Sequence, residues 1–423
     1  MPAFAGVFSF ELWFFWPHPV VRLKRGAVMS SSSGKSSSKS SRRSSSKRSS
    51  SKRASTKRAS TKRRSSPTVV TPELLAELDV LHGFTNPAEL ASPFGPVNAT
   101  GVIRAEPGDF QVNELPLELP CGEGEHAWLR IRKIGNNTAW VAKQLATFAC
   151  VELRDVSYAG LKDRDAVTEQ WFSVWLPGRA DPDWSLWSSG GVEVLEVTRH
   201  RKKLRRGDLR GNEFRLRVRE LSGDIAALEA QLAQLAKTGV PNYFGYQRFG
   251  RDGGNLRLLL GKRPPDRDQR SMGYSALRSS LFNGFLNQRV TGSFWDNCDG
   301  DSREGDVPLS DRDGDLPAYT AFCGDAALGR PTAALFGEGR GRLSPPETAF
   351  FADFPAVTAL LIEEGLKLHR RSIWLPVVSL KCSFTEDSME LTFSLPPGAF
   401  ATTVLDMLVD YRLGNAPVIQ DDS

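Results

Sequence analysis

Apolar residues recur along this chain with two spacings, every second position and every third or fourth, and the changes between them mark its elements. Strand-like alternation runs through GVIRAEPGDFQVNE, residues 101–114, on both sides of a Pro107-Gly108 turn, and again from Ala127 to Ile134. Two short apolar runs, Val156 to Ala159 and Trp171 to Leu176, read as strands flanking a charged turn. Further on, Phe214, Leu216 and Val218 alternate with Arg215, Arg217 and Arg219, which gives a strand with a basic face. Val377–Phe384 and Met389–Leu395 complete the strand set.

Helical spacing lies between these runs. Thr71-Pro72-Glu73 opens a leucine-rich helix, Asn137 caps one whose Val141, Leu145 and Phe148 share a stripe, and Asp224 caps another that ends at Gly239. Longer helices are predicted around Ser275–Val290 and Ala356–His369, with Gly- and Asp-rich loops such as 299–315 between them. Pro396 and Pro397 then stop the last strand, and Phe400 stands at the start of a final helix.

Charge changes this picture because it is unevenly spread. The net charge is +6, yet residues 30–66, a run of Ser, Lys and Arg, carry six Lys, seven Arg and no acid. With +2 from residues 1–29, the remainder from residue 67 onward is at −9. An RNA surface on the folded part must therefore be a local patch. The basic run has no large apolar residue and is expected to be a disordered tail. It suits RNA phosphates, and equally a solubilising extension. The first twenty-one residues are rich in Phe and Trp, but Glu11, Pro17 and His18 interrupt them, and no positive segment precedes them. They make a poor signal peptide and a poor membrane span, and are read as a mis-called extension ahead of Met29.

The five cysteines, Cys121, Cys150, Cys298, Cys323 and Cys382, form no C-x-x-C pair. Reduced thiols in a cytoplasmic protein are expected. The histidines are as scattered, so neither a metal site nor a cofactor is implied.

One stretch concentrates possible chemistry. In VSYAGLKDRDAVTEQWFSV, residues 156–174, a tight turn between two strands carries Lys162, Asp163 and Arg164 in succession. By spacing alone it is a solvated loop. The stretch resembles the signature of the TruD family of tRNA pseudouridine synthases, in which Asp163 matches the catalytic aspartate. Three further segments carry the resemblance. RHRKKLRRGDLRGNEF (residues 199–214) places Asn212 and Phe214 at the family's substrate-contacting pair, and its cations make it the best candidate RNA patch by composition. GVIRAEPGDFQVNE places Arg104 and Phe110 at a basic and an aromatic position, with Arg where the family has Lys. GVPNYFGYQRFG (residues 239–250) resembles the start of the family's inserted domain, where Arg248 reads either as a phosphate contact or as a structural ion pair. Phe400 matches a substrate-contacting Phe; without the family, it and Phe110 would be core aromatics.

The resemblance implies an α+β fold: a pseudouridine synthase-type catalytic domain with a mixed sheet, residues 95–240 plus 375–423, interrupted by an α/β insert, residues 241–374. It implies an enzyme that acts on tRNA without a cofactor, at uridine 13 in the D-stem region; a monomer is the default expectation. The reaction breaks the bond between uracil N1 and the ribose, turns the base and rejoins it through C5. Asp163 is expected to serve as the carboxylate, with Arg104 as its cation by resemblance or Lys162 or Arg164 by proximity in sequence, and Phe214 to stack on the flipped base, with Phe110 and Phe400 near it. Stacking returns about 1–3 kcal/mol per base, against a flipping cost of a few kcal/mol. A noncatalytic RNA-binding or RNA-folding protein on the same scaffold is the alternative.

Overall fold

The alternating segments assemble into one ten-stranded mixed sheet. It is seen in a computed structural model that describes residues 70–414 apart from 188, 261–264, 293–305, 310–315, 325–327 and 340. Residues 1–29 and the basic run 30–66 lie outside the described residues, as do Cys298 and most of the loop 299–315.

The strands are β1 (Ala99–Ile103), β2 (Phe110–Pro116), β3 (His126–Lys133), β4 (Val156–Tyr158) and β5 (Val167–Trp175). They continue with β6 (Val192–His200), β7 (Leu209–Gly223), β8 (Val378–Phe384), β9 (Ser388–Leu395) and β10 (Asp410–Leu413). The spatial order is β8-β9-β7-β2-β5-β3-β6, with β4 against β5 and with β1 joined to β7 and β10. β2 with β5 and β1 with β10 are parallel; the other pairs are antiparallel.

Register explains which residues meet. Residues opposite one another in a sheet share a face, and the face alternates along each strand. Phe110 lies opposite Leu216, Val112 opposite Phe214, and Glu114 opposite Asn212; Phe393 and Leu395 of β9 continue the last two rows. This face is buried and forms the main core, which also takes in Leu228 and Leu235 of the helix Ile225–Thr238 and Phe282 of the long helix Arg267–Thr291. Arg215, Arg217 and Arg219 belong to the opposite face. There Arg215 and Arg217 pair with Glu390 at 2.9 and 3.4 Å, and Arg219 pairs with Asp109 and Glu106 at 2.9 Å. The basic face of this strand is thus largely neutralised and turned away from Asn212 and Phe214.

The caps behave as their side chains require. Thr71 Oγ1 accepts from the backbone N–H of Leu74, starting α1 (Pro72–His82). Asp224 accepts from Ala227 N–H, and Gly239, at φ 69°, ends that helix in a conformation suited to glycine. Asn137 precedes α2 (Thr138–Phe148) without a side-chain cap bond.

Between residues 241 and 374 the chain forms the long helix, shorter helices at Pro345–Ala352 and Pro355–Glu363, and a three-stranded antiparallel sheet of Val307–Pro308, Pro331–Leu335 and His369–Ser372. The helix expected over Ala356–His369 stops at Glu363. Gly365 takes φ 70°, and His369 already belongs to a strand paired with Leu335. The two ends of this stretch meet, Val240–Pro241 pairing with Trp374–Leu375. All the described residues fall within one compact unit, and among them no helix is long and apolar enough to cross a membrane.

Candidate active site

The charged turn between β4 and β5 is pinned at nearly every residue. Ala159 O accepts from Gly207 N–H at 2.9 Å, and Gly160 O accepts from the Gln170 side chain at 3.2 Å. Lys162 N–H donates to Thr138 Oγ1 at 3.1 Å, and Thr138 Oγ1 itself donates to Gln170 Oε1. Lys133 Nζ donates to Asp163 O at 2.8 Å, and Arg164 and Gly135 exchange two bonds. Thr138, Gln170 and Lys133 are all buried. A solvated loop would leave these backbone groups to water.

Charge is held in the same way. Lys162 turns inward, its Nζ 2.7 Å from Glu114 Oε2, with the two side chains only 6% and 1% exposed. The other Glu114 oxygen accepts from Trp171 N–H. A Cβ on Gly160 would stand 3.2 Å from the Lys162 ammonium and 3.5 Å from Glu114, so a side chain there would crowd this pair.

Asp163 points the other way. Its side chain is 49% exposed, and its Oδ2 accepts from the Arg104 guanidinium at 3.2 Å. Of the three cations considered from sequence, Arg104 is the one at the carboxylate; Lys162 is taken by Glu114 and Arg164 by Gly135 O. Arg104 follows β1 at φ 57°, in the left-handed region that costs a non-glycine residue about 1–2 kcal/mol. Its guanidinium also lies 4.1 Å from the centre of the Phe110 ring, and its Nε is buried without a partner. The arginine is thus sandwiched between an aromatic ring and the carboxylate.

Behind Phe110 stands Phe214, ring centroids 6.4 Å apart and edge to face, and beyond it Phe393 at 5.7 Å. Both Phe110 and Phe214 are buried in the core. Asn212 is half-buried on the same face of β7, opposite Glu114, and its Oδ1 is buried with no partner. A buried acceptor of this kind is unusual unless something else supplies its donor.

Phe400 belongs to a second group. It packs against Phe244 (6.2 Å) and covers Gly245, where a Cβ would come within 3.0 Å of its ring. Arg248 lies by both rings and donates to Ser275 Oγ at 3.0 Å; burial lowers its pKa, and among the described residues no carboxylate pairs with it. Phe244, Arg248 and Ser275 border a cavity of about 740 Å³ whose lining also includes Arg206, Asp208, Arg278, Arg370 and Arg371. In the segment 199–214, Arg199, Arg201 and Lys202 are ion-paired with Asp181, Glu123 and Glu118, whereas Arg206 stacks on Tyr158 and faces the cavity. Cys121, Cys150, Cys323 and Cys382 are free thiols.

Sequence reading passed over Lys133, Glu114, Thr138 and Gln170. The signal was present for two of them: Lys133 follows Ala127, Leu129 and Ile131 on the buried phase of β3, and Glu114 follows Phe110 and Val112 on that of β2.

Comparison with known proteins bears on this arrangement. The family model described as tRNA pseudouridine synthase D (TruD) matches residues 97–262, which include both strands flanking the Asp163 loop. A protein of Methylococcus capsulatus named tRNA pseudouridine synthase D is 43% identical over 343 residues, 76% of this chain and 95% of that protein. One of the same name from Pseudomonas fluorescens is 40% identical over 356 residues, 80% and 99% of the two chains. A solved Methanosarcina mazei structure, provisionally named a tRNA pseudouridine synthase D, superposes with a TM-score of 0.56 at 22% identity, over 75% of this chain and 95% of that one. The fold is therefore shared: a mixed α/β architecture in which a catalytic-type sheet is joined to inserted helices and strands.

Proposed function

Because this chain belongs to the tRNA pseudouridine synthase D family, we propose that it isomerises uridine to pseudouridine in tRNA, at position 13 in the D-stem region, with Asp163 as the catalytic carboxylate. The observation that carries this reading is the contrast within one loop. Its backbone is tied down by buried side chains, while the Asp163 carboxylate stands half-exposed against Arg104. Such fixing of a reactive group before substrate arrives is what positioning catalysis requires.

Each neighbour has a place in the chemistry. The carboxylate works at the sugar, as nucleophile at C1′ or as base, while the N1–C1′ bond breaks. The base then turns, C5 bonds to C1′, and the C5 proton leaves while N1 gains one, so the product is an isomer. Arg104 holds the carboxylate in place by a charge-assisted hydrogen bond. The unpartnered Asn212 Oδ1 accepts from uracil N3–H. Phe110 lies beneath Arg104 with Phe214 behind it, and Phe214 is assigned the stacking on the flipped base.

The arginine-bordered cavity supports a place for the phosphates of the tRNA, read by shape more than by base edges. Arg248, with no ion pair among the described residues, is assigned a phosphate there, and Phe400, the expected substrate-contacting aromatic, packs beside that arginine. In this reading residues 95–240 with 375–423 form the catalytic part, residues 241–374 form the second wall, and the enzyme works as a cytoplasmic monomer without a cofactor.

The test is tritium release from a tRNA transcript labelled at uridine C5, with purified wild-type protein and Asp163→Asn. Release by wild type alone supports the assignment. Release by both removes Asp163 from the chemistry, and binding without release by either points to an RNA-binding protein.

A further inference from the structure

The polar layer beneath the loop contains, besides the Lys162 ammonium paired with Glu114, a second ammonium that the reaction as proposed does not use. Lys133 ends β3 on the phase of Ala127, Leu129 and Ile131, so its side chain runs into the interior and is fully buried. Its Nζ meets three backbone carbonyls, Asn136 O at 2.8 Å, Asp163 O at 2.8 Å and Lys162 O at 3.4 Å. We propose that Lys133 is a positioning residue, whose ammonium clamps these carbonyls and so sets the direction in which Asp163 presents its carboxylate. This rests on the reading of Asp163 as the catalytic group.

The donor count favours the charged form. An ammonium has three N–H groups and no lone pair, which matches three converging carbonyl oxygens. A neutral amine has two N–H groups and turns a lone pair toward the third oxygen. Arg104 holds the far end of Asp163, and the Asp163 carbonyl is one bond from its Cα, so the two cations fix the residue at both ends. The charged groups around Lys133 are few. The Asp163 carboxylate favours its charge, and the Lys162 ammonium, itself paired with Glu114, opposes it. Arg164 is bound to Gly135 O, while Thr168 of β5 and Thr138 of α2 are uncharged.

Burial pushes the Lys133 ammonium down to about 8, against the pull of Asp163. Below that pH the clamp is complete; above it one donor is lost, and the rate should fall. Stability moves in the opposite direction. Unfolded chain keeps the proton up to the ordinary lysine value, so between about 8 and about 10.5 the unfolded state binds more protons, and this group's contribution to stability rises with pH. A residue that served the fold alone would not lower the rate where its own effect on stability improves.

The experiment is single-turnover pseudouridine formation on an unmodified tRNA transcript, from about pH 6.5 to about pH 9.5. Wild type, Lys133→Met and Asp163→Asn are compared, with tRNA affinity and melting temperature followed in parallel. We expect the wild-type rate to fall above about pH 8 without a matching fall in melting temperature, and Lys133→Met to be at least about 10-fold slower at neutral pH, to bind tRNA within about 3-fold of wild type, and to lack the limb. A Lys133→Met variant with the wild-type rate, or with the limb intact, overturns the clamp while an inactive Asp163→Asn leaves the catalytic reading standing. An active Asp163→Asn overturns that reading and the clamp with it. If Lys133→Met does not fold, the wild-type profile decides: a flat rate through the alkaline range overturns the proposal.

Discussion

Glu114→Gln is the sharpest probe of how the loop is held. It removes one charge of a pair whose side chains are 6% and 1% exposed and 2.7 Å apart, and it keeps an acceptor for Trp171 N–H. Breaking a buried pair from one side costs about 3–5 kcal/mol, because the remaining charge stays desolvated. Lys162 sits in a surface loop and can swing partly outward, so we take the lower end, about 3 kcal/mol, or several degrees of melting temperature. Lys162→Met alone leaves the Glu114 carboxylate stranded and should cost a similar amount. The double variant removes both charges and should return to within about 1 kcal/mol of wild type. The assay is a double-mutant cycle by urea denaturation at neutral pH, with single-turnover rates on the same proteins. Because Arg104 is the cation at Asp163, the double variant should keep its rate within about 10-fold of wild type, whereas Glu114→Gln frees an ammonium beside the carboxylate and should lose more. Glu114→Gln as stable as wild type, or a double variant no better than the singles, would refute the reasoning.

Two more outcomes follow from the contacts of the site. Arg104→Met should slow turnover by about 10-fold to 100-fold with little change in stability, and Arg104→Lys should recover part of the loss, since it keeps the charge but not the planar stack on Phe110; single-turnover rates decide. Phe214→Ala should cost about 3–5 kcal/mol because the ring is core, while Phe214→Leu should cost less than about 1.5 kcal/mol. A rate or affinity loss in the stable Leu variant would then measure the ring's part in handling the base.

How much of this was legible in the sequence depends on the range of the interaction. Alternation marked the buried phase of β7 through Phe214, Leu216 and Val218, and local caps at Thr71 and Asp224 marked helix starts. Those signals are short-range. The partners of Arg215 and Arg217 lie on β9, more than 170 residues along the chain, so a strand that reads as a basic face is neutralised by a glutamate that no local pattern connects to it. The helix that was expected to reach His369 is cut short by pairing with Leu335, again a distant contact. β10 went unread because its four residues are ordered by β1 rather than by an alternation of their own.

The site shows the same division. Asp163 and Arg104 were each singled out by family resemblance, but their pairing across 59 residues needed the fold. Phe110 and Phe214 sit where either reading could place them, both buried in the core, with Phe110 against the carboxylate's partner and Phe214 behind it. Lys133 and Glu114 were legible in principle as charged residues on a buried strand phase, the pattern that most often means a paired or functional group.

The central claim is that the half-exposed carboxylate of Asp163 makes pseudouridine in tRNA. Its most direct test is pseudouridine mapping at single-nucleotide resolution on total tRNA from a strain that lacks this gene, complemented with wild type or with Asp163→Asn. We expect one D-stem site to vanish in the deletion strain and to return with wild type alone. An unchanged map, or a site restored by Asp163→Asn, would contradict the claim.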